Sequence, residues 1–112
     1  MDGWIDAARS PIKSGIPPEQ TIFVWHALQG TMTVVCAKWN ENPLYSHWRR
    51  IDNDAWVLTA DRMPEKADAD ETNCVISRNI WGEVRTTGWH RFRDERWLTA
   101  WQTPPEPPVN YR

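Results

Sequence analysis

The sequence predicts a mainly β protein: two repeated antiparallel three-strand meanders packed into one compact sheet-like or sandwich-like domain about a pseudo-twofold axis. Three observations predict it. Short runs of β-branched and aromatic residues are separated by Gly, Pro, Asn and Asp turn formers. Nine tryptophans stand in a chain of 112 residues, and each indole buries roughly 150–250 Å², enough to build most of a core otherwise poor in Leu and Ile. Finally, the order of these runs and turns occurs twice.

In the first copy, about residues 4–50, Trp4-Ile5 opens an extended arm that Pro11, Gly15, Pro17 and Pro18 keep from becoming a helix. The run Thr21 to Leu28 reads as a strand, Gln29-Gly30-Thr31 as a turn, and Met32 to Trp39 as the returning strand of a hairpin. Asn40-Glu41-Asn42-Pro43 is a second turn, and Leu44 to Arg50 a third strand ending at Asp52-Asn53-Asp54. The second copy, about 56–108, repeats this layout: Trp56 stands for Trp4, Met63-Pro64 for Ser10-Pro11, and Cys74-Val75-Ile76-Ser77 for Ile22 to Trp25. Gly82 matches Gly30, Trp89 matches Trp39 and Trp97 matches Trp48. Each copy of about fifty residues is too small to bury its own apolar face, so the two are expected to share one core. The alternative is chance matching in a Trp-rich chain. Between the copies, Asp61 to Glu71 reads as a solvated acidic loop with a short helical turn near Pro64-Glu65-Lys66-Ala67. From Thr103 onward, four prolines predict a polyproline-like strap on the surface.

With 40% hydrophobic and 25% charged residues the chain has globular composition. A net charge of −2 lacks the basic stripe of a duplex-DNA binder, so duplex DNA is not the expected partner. Cys36 and Cys74 form no Cys-x-x-Cys pair and are expected to be buried free thiols of a cytosolic protein. No leader-like or membrane-spanning pattern is present, so the expected location is the cytoplasm, with no membrane partner.

The histidines sit beside tryptophans as Trp25-His26, His47-Trp48 and Trp89-His90. Alternation along a strand would turn each His outward if its Trp points inward. No His-x-His or Cys-x-x-Cys spacing supports a metal site, and nothing near Cys36 marks an activated nucleophile. Phosphate-cradle and nucleophile-elbow patterns are lacking. Asp52 and Asp54 read as turn formers rather than a carboxylate pair. No catalytic residue and no cofactor is expected. The stretch Arg85, Trp89, His90, Arg91, Arg93 and Arg96, with Arg49 and Arg50 in the first copy, mixes rings that stack bases with guanidinium groups that hold phosphates, and so is a candidate nucleotide site. A strand with one aromatic and one charged face looks the same.

The segment Trp101-Gln102-Thr103-Pro104-Pro105-Glu106-Pro107-Pro108 closely resembles the closing signature Trp-x-Pro-Leu-Pro-Glu-Pro-Pro of a family of small phage and prophage proteins, domain of unknown function 551. Trp56-Val57, Met63-Pro64, Val75-Ile76 and Gly82 to Trp89 are similar to that family's opening and middle, and Trp4 to Trp39 resembles the same pattern more loosely. The loop from Pro64 to Cys74 is longer than the family's turn, and the family's Leu falls on Pro105 or is missing. The resemblance implies a phage or prophage accessory protein and brings no activity or catalytic residues. In that context the first expectation is a non-enzymatic factor that binds a host protein stoichiometrically, such as an inhibitor of a defence system of the CRISPR-Cas kind. Its acidic loop, with Asp61, Glu65, Asp68, Asp70 and Glu71, would mimic nucleic-acid charge toward a basic partner. A nucleotide or signal-molecule sponge and a virion or structural component are the alternatives.

Overall fold

The computed structural model describes residues 3–41 and 43–108, leaving out the side chains of Asn40 and Glu41. Position 42, part of the expected turn at 40–43, lies outside the described residues. The protein is mainly β: among the described residues eight short strands form two four-stranded antiparallel sheets, and no helix reaches seven residues. Among the described residues, no helix is long and apolar enough to cross a membrane. The chain divides into two compact units, one of residues 1–51 with the segment from Pro105 onward, the other Asp52–Pro104.

In the first unit β1 (Ile5–Asp6), β2 (Thr21–His26), β3 (Gly30–Val35) and β4 (Tyr45–Arg50) lie in the order β1-β4-β2-β3. This is not a meander, and there are four strands rather than three. Strand β3 ends at Val35 instead of running to Trp39, because the Cys36 N–H turns to the Gln20 carbonyl at 2.8 Å and Cys36–Glu41 winds as a 3-10 turn. That turn brings the chain back to the far side of β2, so β4 pairs with β2 and not with β3. Strand β2, with a neighbour on each side, is buried along most of its length, as its run of large apolar residues requires. Val24 and Ile5 both face Trp48 across the ladder, and Ile16, Ile22, Cys36 and Trp39 complete the core. The Trp48 indole N–H donates to the Arg9 carbonyl at 2.6 Å, so the ring is buried with its one polar group satisfied.

The second unit follows the same path. Its strands are β5 (Val57–Leu58), β6 (Cys74–Asn79), β7 (Val84–Gly88) and β8 (Leu98–Gln102), in the order β5-β8-β6-β7. Trp89 N–H donates to Asn73 O where the 3-10 turn Trp89–Arg93 begins, and Val75, Phe92, Leu98 and Trp101 form the core. The expected helical turn in the acidic loop is the 3-10 turn Lys66–Asp68. Gly30 and Gly82 both take left-handed φ values, 81° and 80°, at their hairpin turns.

Hydrogen-bond register assigns the other matches differently from aromatic identity. Trp48 corresponds to Trp101, whose N–H donates to Arg62 O at 2.8 Å. Trp97 occupies the position of Leu44, since its carbonyl accepts from Ile80 as Leu44 O accepts from Ala27. Trp89 takes the position of Cys36, and Phe92 that of Trp39. Register thus keeps one Trp pair, Trp48 with Trp101, and elsewhere sets different residue types at matching positions.

Candidate functional site

The basic and aromatic residues are not gathered on a strand face. Arg85 leaves β7 paired to Glu83 at 2.7 Å. Trp89, His90, Arg91 and Arg93 belong to the 3-10 turn rather than to a strand. There Trp89 packs against the core of its unit while its edge meets His90, centroids 6.1 Å apart. Arg91 is held by the Glu95 carboxylate one turn on. Arg93 and Arg96 are exposed. In the first unit, Arg49 lies over the Trp4 ring at 5.5 Å and Arg50 is exposed at the end of β4. These guanidinium groups are used mostly one by one in local contacts.

Two of the acidic-loop carboxylates are committed within the loop. Asp68 takes both guanidinium nitrogens of Arg62, at 3.0 and 3.2 Å, and accepts the Glu65 N–H at 2.8 Å. The Arg62 hydrogen bonds and the Glu65 N–H hold its carboxyl below the usual carboxylate range, and Arg62 is stabilised as a cation in return. Arg62 also lies over the Trp101 ring at 4.6 Å, so the loop is fastened to the core by one side chain. Asp70 accepts from Thr72 N, Thr72 Oγ1 and Cys74 N. Asp61, Glu65 and Glu71 remain exposed. Asp52 accepts the Asp54 N–H at 2.9 Å, as a turn former does.

Among the histidines and cysteines, His26 and Cys74 depart from expectation. His26 is buried while Trp25 is only half-buried, because β2 alternates without interruption against β3 and sets His26 on the face of Ile22 and Val24; the bulge falls in β4, at Ser46. His26 Nδ1 accepts the N–H groups of Leu28 and Gln29, both at 3.1 Å, so its proton sits on Nε2. His47 is half-buried with Nδ1 2.8 Å from Ser46 Oγ, and His90 is exposed. Cys36 is buried, and desolvation pushes its thiol up, helped by Glu19. Cys74 is half-buried rather than buried, since it opens β6 on the face opposite Val75 and stands across from Gly88, which has no side chain to cover it. Among the described residues, no three His, Cys, Asp or Glu side chains are grouped as metal ligands.

A surface that sequence reasoning missed lies at the β6–β7 turn. Asn79 Oδ1 accepts the N–H groups of Trp81 and Glu83, both at 3.0 Å, and Asn79 Nδ2 donates to Glu83 at 3.1 Å. The Asn79 Nδ2 donation, with Arg85 second, lowers the Glu83 carboxyl's pKa. With its polar groups bonded to one another, the turn projects Ile80 and Trp81, which are 62% and 68% exposed. The Ile80 N–H donates to Trp97 O at 2.8 Å, which sets the 43% exposed Trp97 beside them. At the β2–β3 turn the His26 side chain likewise accepts two turn N–H groups, though from Leu28 and Gln29, and an 81% exposed Leu28 stands at the tip. The sequence signal was an Asn at the strand end followed by two large apolar residues and a Gly.

Comparisons with family models, with curated proteins and with solved structures found no match to this chain.

Proposed function

We propose that this chain is a non-enzymatic phage or prophage accessory protein that binds a host protein stoichiometrically in the bacterial cytoplasm, as an inhibitor of a host defence system such as CRISPR-Cas would. The observation that carries this reading is the β6–β7 tip, where Ile80, Trp81 and Trp97 are held in solvent by a turn whose own polar groups are already satisfied. Tryptophan is the residue most enriched among interface hot spots, and a preorganised turn lowers the entropy lost on docking. Ile80 has no π face for a base, so the tip suits an apolar pocket on a protein better than a nucleic acid. The exposed carboxylates Asp61, Glu65 and Glu71 would act as rim charges, affecting association rate more than affinity. The resemblance of Trp101 to Pro108 to the phage family supplies the biological setting.

The test is affinity capture from lysate of the host bacterium, with mass spectrometry for proteins and for small nucleotides. The expected result is a protein retained by the wild type and lost with Trp81→Ala and Trp97→Ala, while Arg93→Glu and Arg96→Glu have little effect. A bound nucleotide lost with the Arg changes would favour the sponge reading, for which Arg93 and Arg96 near Trp97 are the observation. Protein capture that survives both Trp changes would remove the tip as the docking element.

A further inference from the structure

We infer that the first unit carries a recognition groove for polyproline segments, occupied by the chain's own residues 105–108, and that its partner in trans is a protein with an exposed Pro-Pro-x-Pro-Pro stretch. This site is separate from the β6–β7 tip and does not depend on it.

From Thr103 to Pro107 every residue is a proline or precedes one. Proline fixes its own φ near the polyproline value and bars its predecessor from the α region, so the strap takes a left-handed conformation of three residues per turn. That period puts Pro105 and Pro108 on one face. Pro105 is half-buried and Pro108 fully buried, whereas Glu106 and Pro107 between them are exposed. A polyproline strand leaves its carbonyls without internal partners, and the Trp4 indole N–H donates to Glu106 O at 2.6 Å. Trp4 is itself fixed by an edge-on contact with Trp25, centroids 6.3 Å apart at 74°, and by Arg49 over its ring. Arg49 reaches that place beside Gly3, where a Cβ would come within 2.8 Å of the guanidinium. An aromatic N–H reading a carbonyl between proline rings is the chemistry by which polyproline ligands are bound. Because the Glu106 contact is through the main chain and its side chain faces water, that position tolerates any residue.

A second copy of this chain is a poor competitor, since its strap is identical and the tethered one enjoys an effective concentration on the order of millimolar. The trans ligand is therefore a different protein, which presents the proline face and carbonyl that Pro105, Glu106 and Pro108 present in cis.

The test uses a fluorescent peptide, Thr-Pro-Pro-Glu-Pro-Pro, its all-alanine counterpart, and the full chain with Pro105→Ala and Pro108→Ala to weaken the tethered ligand. Anisotropy should show the double variant binding the proline peptide at least about tenfold more tightly than wild type does, because the cis competitor is weakened. Adding Trp4→Phe, which removes one donor, should cost about tenfold. Trp81→Ala and Trp97→Ala should leave peptide binding unchanged. A folded double variant that ignores the peptide overturns the proposal and makes the strap structural only. If that variant does not fold, wild-type protein decides: about 10 mM proline peptide should shift the Trp4 indole N–H resonance by competing with the tethered strap, and a resonance that responds equally to the alanine peptide, or to neither, overturns it.

Discussion

Trp48 and Trp101 perform the same task in their two units: each is buried, and each donates its indole N–H to a backbone carbonyl 39 residues earlier, of Arg9 and of Arg62. Each also lies opposite a residue of a central strand, Val24 or Ser77. One side chain thus ties the last strand of a unit to the loop after its first. Replacing either by Ala should cost about 3–5 kcal/mol, since a large cavity opens and the carbonyl loses its donor. Trp97→Ala should cost roughly 1 kcal/mol or less. Urea unfolding of the three variants checks the order, and equal losses would contradict it.

Asn79 and His26 use a side-chain acceptor to close their turns. Asn79→Ala should destabilise by about 1–2 kcal/mol through two lost acceptor contacts. His26→Asn should retain most of the stability that His26→Ala forfeits. Thermal melts of the three variants would show it, and an Asn no better than Ala at position 26 would mean that the imidazole acts by packing alone.

Asp68 titrates below the ordinary carboxylate range because Arg62 and the Glu65 N–H favour its charged form. A carboxylate with a depressed folded pKa stabilises the fold above its unfolded value, near pH 4, and loses that contribution as pH falls through the folded value. Asp68→Asn should therefore lower the melting temperature at pH 7, and the gap from wild type should close below about pH 4. A gap that persisted to pH 2 would assign the effect to shape rather than charge.

Native protein should expose one thiol to a disulfide reagent and release the second only on denaturation. Cys36 is buried with its thiol pushed toward the neutral form, which is the unreactive one. Cys74 is half-buried, its Sγ within 3.6 Å of Thr72 O. Cys74→Ser should leave no fast-reacting thiol. Two fast thiols in the wild type would contradict the burial of Cys36.

Much of this was legible from local chemistry. The β-branched runs at Thr21 to His26 and Cys74 to Ser77, the left-handed Gly30 and Gly82, and the Asp52 turn each follow from a residue's own conformational preferences and its immediate neighbours. Tertiary structure alone decided which strands are neighbours, because pairing β4 with β2 depends on where the 3-10 turn at Cys36 sends the chain. It decided that His26 is buried and Trp25 only half-buried, since which face of β2 is covered more fully depends on the residues packed against it. It decided that Asp68 serves Arg62 while Ile80 and Trp81 face water: the free energy of burial depends on what lies opposite, and no single stretch of sequence contains its opposite.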